Sequence, residues 1–121
     1  MDIKKELSKG SSSLLVLSVL GEEDMYGYQI IKEIEHRSDG VFSFKEGTLY
    51  PILHTFERDG LLKSRWAENE GAKKRKYYSL TARGKKVLAD SREDWRVYSD
   101  AVNKVTGTSS VKAFCPAELT I

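Results

Sequence analysis

Cysteine, proline and long apolar runs are all scarce in this chain of 121 residues. Cys115 is the only cysteine, which excludes an intramolecular disulfide and a cysteine-rich zinc site and fits a reducing compartment. The longest stretch without a charged residue, Gly10 to Gly21, is much shorter than the roughly 20 apolar residues that cross a bilayer. Residues 1–6 lack the basic start of a secretory signal. We therefore expect a cytoplasmic protein without membrane contact.

The net charge is also small, at +2, but the charged residues are unevenly distributed. Residues 45–86 hold 11 basic and 5 acidic groups, whereas residues 1–44 and 87–121 each hold more acidic than basic groups. A local basic excess suits a polyanionic partner. Hydrophobic residues make up 40% of the chain and charged residues 31%, which is typical of one globular domain.

Apolar periodicity predicts four helices and one hairpin. The predicted helices span about Ile3 to Leu20, Met25 to Arg37, Glu46 to Asp59 and Ala82 to Val105, and the predicted strands span Leu61 to Trp66 and Lys76 to Leu80. Asp24 is the expected N-cap of the second helix, Gly60 ends the third, and Thr81 can cap the fourth. The polar residues 67–75 would form a long hairpin tip.

This order of elements predicts a mainly α chain with a small two-stranded antiparallel β-wing, which is the winged helix-turn-helix architecture. Residues 1–81 would form a DNA-binding domain, residues 82–106 a dimerisation helix, and residues 107–121, where Gly, Thr and Ser increase, a flexible tail. In such a domain the third helix can enter a major groove about 12 Å wide, while the hairpin reaches the neighbouring backbone.

Candidate DNA contacts lie on the third helix and on the hairpin. The four consecutive cations from Lys73 to Lys76 would contact phosphates, although a basic run can also be a solvated loop. Tyr50 can point its hydroxyl at a phosphate or cover the junction of helix and wing. Of Tyr77 and Tyr78, which alternate along a strand, one is expected in the core. The candidate DNA-binding residues are Lys45, Thr48, Tyr50, Thr55, Arg58, Lys73, Lys74, Arg75 and Lys76.

The fourth helix carries a stripe of residues at alternating steps of three and four, a pattern that is typical of a helix with a partner helix. The stripe consists of Leu88, Ser91, Trp95, Tyr98, Val102 and Val105. We therefore expect a homodimer that uses this helix as its interface. A tryptophan in mid-stripe is well suited to anchor such an interface. The other tryptophan, Trp66, is assigned a structural role.

Four sequence motifs resemble the PadR-like transcriptional regulators. They are Tyr26-Gly27-Tyr28-Gln29-Ile30, Glu46-Gly47-Thr48-Leu49-Tyr50-Pro51-Ile52-Leu53, Asp59-Gly60-Leu61-Leu62, and the stretch from Arg75 to Gly84. The resemblance implies a homodimeric repressor of the short form, with one helix after the wing. Resemblance to the multidrug-sensing members implies that paired Trp95 side chains hold a flat aromatic effector. The family usually has a basic residue where this chain has Thr55, before Phe56 and Glu57.

Two other classes of function remain as alternatives. A winged-helix module for protein contacts would not need the basic excess in residues 45–86. An enzyme or metal-binding protein would need a constellation that the sequence lacks, since His36 and His54 lie on different predicted helices without a second ligand at metal spacing. The acidic turn from Glu22 to Asp24 is interpreted as helix capping. We expect no metal, no cofactor and no catalytic residues, and double-stranded DNA and a second copy of the chain as partners.

Overall fold

The computed structural model describes residues 3–68, 71 and 73–108, so the predicted tail beyond residue 108 lies outside the described residues. The elements, in chain order, are α1 Ile3–Leu20, β1 Met25–Tyr26, α2 Gly27–Arg37, α3 Glu46–Arg58, β2 Leu62–Glu68, β3 Lys74–Leu80 and α4 Ala82–Thr106. The four predicted helices are confirmed. The chain forms two compact units that meet in sequence after Ala89, so α4 begins in the first unit and continues into the second.

The core of the first unit is built from the apolar faces of α1, α2 and α3 and one face of the sheet. The largest fully buried side chains are Val16, Ile30, Leu49 and Leu53. They come from three different helices at the spacings that predicted those helices. Full burial of such a side chain contributes about 1.5–3 kcal/mol, so this cluster holds the helices in a fixed arrangement.

The predicted antiparallel wing is confirmed as the hairpin of β2 and β3, and a short strand that the sequence did not predict, β1, extends the sheet to three strands in the order β1-β3-β2. The additional strand pairs Met25 with Tyr78 and Tyr26 with Tyr77. Because these residues are extended, α2 begins at Gly27 and Tyr26 is its N-cap; the predicted cap, Asp24, is incorrect. The backbone N–H of Tyr26 donates to Gln29 Oε1 at 3.1 Å.

The wing is longer than the sequence indicated. The register continues past Trp66, which faces Lys76, to Glu68, which faces Lys74. The predicted tip, residues 67–75, is therefore too long, since Ala67 and Glu68 at one end of it and Lys74 and Arg75 at the other are paired strand. Backbone pairing extends the hairpin here without a large apolar side chain that would predict it from the sequence.

Gly60 and Thr81 act at helix ends as predicted. Gly60 has a φ of 79° after the end of α3, a conformation that favours glycine, and the Leu61 N–H donates to the carbonyl of Phe56 at 2.8 Å. The Thr81 hydroxyl accepts a hydrogen bond from the Gly84 N–H at 3.0 Å and so caps α4. A Cβ on Gly84 would overlap the carbonyl oxygen of Leu61, so α4 starts in close contact with the turn between α3 and β2.

The acidic turn forms ion pairs instead of capping α2. Arg37 donates to both carboxylate oxygens of Glu22 at 3.0 Å and to Glu33 at 2.7 Å, and these contacts, the Glu33 bond most of all, raise the pKa of Arg37. Asp24 pairs with Arg65 of β2 at 3.3 Å. The turn after α1 is thereby joined to α2 and to the wing.

Leu88 differs from the rest of the predicted dimer stripe. Its side chain is 5% exposed and belongs to the core of the first unit, where it lies against Gly21. Leu88 is therefore removed from the predicted interface, because its apolar surface is already covered within its own chain. Ser91 is half-buried. Within the second unit, the large side chains of the stripe are exposed, namely Trp95, Tyr98, Val102 and Val105.

No helix among the described residues is both long enough and apolar enough to span a membrane.

Candidate nucleic-acid interface

The outer face of α3 carries polar side chains that are free of the core. Thr48, Thr55 and Arg58 are exposed, as predicted, whereas Leu49 and Leu53 on the opposite face are fully buried. Arg58 lies 3.3 Å from the carboxylate of the neighbouring Asp59. A helix held on one face and polar on the other can approach a base-pair edge as a rigid element.

The N-terminus of α3 is open to an anion. Its N-cap is Lys45, an exposed residue in extended conformation whose side chain makes no capping hydrogen bond within the part of the chain that the structure describes. The Lys45 carbonyl accepts from the N–H groups of Thr48 and Leu49 at 3.0 and 2.9 Å. The positive end of the helix dipole and the lysine charge therefore lie together, an arrangement that favours a phosphate.

A groove of about 790 Å³ lies between the starts of α2 and α3 and the wing. Among the described residues, five cations line it against a single carboxylate, that of Glu46. The cations are Lys32, Lys45, Lys74, Arg75 and Lys76. Aromatic rings also line it, which are those of Tyr26, Tyr28, Tyr50, Trp66 and Tyr78. Five of the nine residues predicted to bind DNA therefore share one concave surface. They are Lys45, Tyr50, Lys74, Arg75 and Lys76.

Sequence reasoning missed Tyr28, Lys32 and Trp66 as groove residues. Tyr28 and Lys32 are one helical turn apart on α2, and the Lys32 ammonium lies 5.5 Å from the centre of the Tyr28 ring. Trp66 is 67% exposed, so the structural role assigned to it from sequence is wrong. The polar face of α2 could have predicted Tyr28 and Lys32 as groove residues. The position of Trp66 could not be predicted without the register of the wing strands.

The basic run is divided into cations with different surroundings. Lys73 and Lys74 are exposed. The Arg75 guanidinium lies 4.8 Å from the centre of the Tyr26 ring, and its Nε is buried without a hydrogen-bond partner among the described residues. The Lys76 ammonium lies 3.7 Å from Glu57 and 5.6 Å from the centre of the Tyr78 ring. Only Lys73 is outside the strand, so the four residues are not equivalent.

Tyr50 lies at the junction of helices, half-buried, with its hydroxyl against Gly27 at the start of α2. The prediction that one of the adjacent wing tyrosines is in the core is confirmed, since Tyr78 is 4% exposed while Tyr77 is half-buried with its ring edge-on to Tyr26 at 5.4 Å. Burial raises the pKa of Tyr78, and the negative charge of Glu57 and the neighbouring Tyr50 raise it further.

The described residues contain no group of three His, Cys, Asp or Glu side chains placed to hold a metal. What the first unit presents is an exposed helix, a hairpin wing at its side and a basic groove between them. These features define a winged helix-turn-helix protein, the class to which many transcriptional regulators belong.

The chain belongs to the transcriptional regulator PadR-like family, whose sequence profile matches residues 16–90. The resemblance of the sequence motifs to this family is thereby confirmed. Family membership implies regulation through DNA binding.

Solved structures of the family share the fold. A transcriptional regulator from Clostridium thermocellum is 33% identical, with a TM-score of 0.74 over 82% of this chain and 96% of that one. A PadR family transcriptional regulator from Eggerthella lenta is 39% identical, with a TM-score of 0.68 over 84% of this chain and 82% of that one. The transcriptional regulator YqjI of Escherichia coli is 31% identical over 77% of this chain, a match that spans 43% of YqjI.

Proposed function

We propose that this chain is a homodimeric, sequence-specific DNA-binding repressor whose DNA binding is relieved by a small aromatic effector. The observation that carries the DNA-binding part is the basic groove beside the exposed face of α3. Its cations come from α2, from the start of α3 and from β3, so three elements contribute positive charge to one surface. A duplex with closely spaced phosphates suits this surface better than a protein partner does.

In the proposed complex, α3 enters the major groove and presents Thr48, Thr55 and Arg58 to base edges or phosphates. The DNA backbone beside it follows the groove between α3 and the wing. Lys45 and the start of α3 contact one phosphate, while Lys73 and Lys74 contact others. Arg75 and Lys76 contribute charge from more enclosed positions, and Tyr50 supports the junction.

The exposed stripe of α4 supports the proposed dimer. Trp95, Tyr98 and Val102 are 46%, 63% and 39% exposed, which is unusual for large apolar side chains on one face of a helix. A second copy of α4 would cover them. A two-fold dimer would place two α3 helices in successive major grooves, roughly 34 to 36 Å apart.

Trp95 and Tyr98 support the proposed effector site. Their ring centres are 5.9 Å apart with the planes tilted by 36°, and Trp95 remains half-exposed in one chain. A flat aromatic compound can stack on such a ring. In the variant Trp66→Phe, Trp95 is the only tryptophan, so its fluorescence can be followed while planar aromatic compounds are added. An unchanged signal across a panel of such compounds would contradict the effector role.

The DNA-binding proposal is tested by selection of bound duplexes from a randomised library, followed by footprinting of the selected duplex. We expect a two-fold symmetric site with half-sites about one helical turn apart. Failure to enrich any sequence, or protection of one half-site by a single chain, would contradict a sequence-specific dimer.

A further inference from the structure

Glu57 is an acidic residue on α3 that the interface itself does not require. A carboxylate next to a phosphate-binding surface repels the ligand and lowers its affinity. Glu57 nevertheless lies beside Lys76, one of the cations of the groove. We propose that Glu57 is a positioning residue, which fixes the wing against α3 so that both bind DNA in one geometry. This inference rests on the proposed DNA-binding function.

The two oxygens of the Glu57 carboxylate contact the two strands of the hairpin. Oε2 accepts a hydrogen bond from the Ser64 hydroxyl of β2 at 2.6 Å. Oε1 lies 3.7 Å from the ammonium of Lys76 on β3. One side chain on the last turn of α3 therefore connects the helix to both strands, and we call these contacts the Glu57 brace.

The brace is placed where it restrains the hairpin and not just its base. Ser64 faces Tyr78 across the two strands, and Lys76 is two residues further toward the tip, facing Trp66. The Lys76 ammonium also lies over the ring of the buried Tyr78, which limits the positions available to the lysine side chain. Below these pairs, Leu62 and Leu80 hold the base of the hairpin in the core.

The two contacts differ in strength. A short hydrogen bond from a hydroxyl to a carboxylate is charge-assisted and strong. The pair with Lys76 is longer and its side chains are more than a third exposed, so by itself it adds little to stability. The value of the brace thus lies in fixing a geometry. Two DNA contacts on a rigid frame bind together more tightly than the same contacts on parts that move independently.

The brace and simple electrostatic repulsion predict opposite changes in DNA affinity when the charge of Glu57 is removed. Glu57→Gln weakens both contacts of the brace, because it replaces the charge-assisted hydrogen bond from Ser64 with a neutral one and releases Lys76. If Glu57 only repels DNA, this variant binds more tightly. If Glu57 positions the wing, the variant loses about tenfold in affinity for a duplex selected by the wild-type chain. Its affinity for an unrelated duplex, which requires phosphate contacts alone, is unchanged or higher.

The matched control is Glu46→Gln, which removes one negative charge from the other end of the same helix, where Glu46 lines the groove. We expect this control to bind both duplexes slightly more tightly. Equal, tighter binding of the selected duplex by the variants at positions 46 and 57 would overturn the proposal.

A second variant and a second measurement keep the test decisive. Ser64→Ala removes one contact from the wing side, and we expect it to lower the preference for the selected duplex about threefold. Amide hydrogen exchange of the isolated chain measures the brace without DNA: exchange in β2 and β3 should accelerate in Glu57→Gln and not in Glu46→Gln. A wild-type chain that enriches no duplex contradicts the proposed function, whereas unchanged exchange in Glu57→Gln contradicts the brace.

Discussion

The hydroxyl of Tyr50 lies against the backbone of Gly27, in a space that the side chain of any other residue would occupy. Gly27 begins α2 and Tyr50 is in the second turn of α3, so this contact sets how closely the two helices approach at the edge of the groove. The contact with Tyr50 explains why residue 27 is a glycine, because the backbone conformation of Gly27 does not itself require one.

Gly27→Ala should lower the free energy of unfolding by about 1–3 kcal/mol, because the added methyl group overlaps the Tyr50 ring. Denaturant unfolding measures the loss. The matched control is Gly47→Ala in α3, where an added methyl group meets no atom of the described residues within 4 Å. Alanine favours a helix over glycine by about 1 kcal/mol, so this control should be neutral or stabilising. Equal destabilisation by both changes would contradict the packing role of Gly27.

Leu88 and Tyr98 should respond to alanine substitution in different measurements. Leu88→Ala should lower the free energy of unfolding by about 2–5 kcal/mol, because it leaves a cavity in the core of the first unit. Tyr98→Ala should shift sedimentation toward the monomer and leave the core of the first unit intact. A monomeric Leu88→Ala variant of normal stability would contradict the separation of core and interface proposed for α4.

Thr55→Lys is expected to strengthen DNA binding, because it adds a cation to the exposed face of α3 at the position where the family usually has a basic residue. One added phosphate contact makes the slope of log affinity against log salt steeper by about 0.9. Thr55→Gln, which adds length without charge, is the control. Equal slopes for the two variants would show that position 55 does not face the backbone.

Stability should fall at alkaline pH through Tyr78. Burial raises its pKa in the folded chain above the ordinary value near 10. Above about pH 10 the unfolded chain loses a proton that the folded chain retains, so the stabilisation is complete below this pH and is lost as the pH rises through the folded pKa. Tyr78→Phe should therefore flatten the alkaline loss, as followed by thermal unfolding, and the exposed Tyr28→Phe should not.

The sequence predicted the helices well because their signals are local. Buried residues such as Ile30 and Leu53 recur at helical spacing, and Gly60 and Thr81 mark helix ends with short-range hydrogen bonds. The fold class and the outer face of α3 followed from these signals. The resemblance to the PadR-like family added two expectations, a homodimeric repressor and a short form with one helix after the wing.

The errors arose where long-range pairing decides the structure. Met25 and Tyr26 look like the start of a helix, but they pair with β3 some 50 residues later. Lys74 and Arg75 look like a basic loop, yet the backbone register of β2 continues through them. Leu88 fits the periodicity of the α4 stripe, and only the packing of Gly21 against it assigns it to the core. Trp66 lines the groove because the register of β2 and β3 places it opposite Lys76.

Binding of the DNA backbone by the groove and the wing is tested most directly by the salt dependence of duplex binding. The slope of log affinity against log salt concentration should be steep in the wild-type chain. It should become shallower by about 0.9 for each phosphate contact that the double variant of Lys73→Ala and Lys74→Ala removes. The double variant of Lys85→Ala and Lys104→Ala, which removes the same charge from exposed positions of α4 outside the groove and the wing, should keep the wild-type slope. A flat wild-type slope, or equal slopes for the two double variants, would contradict DNA binding by this surface.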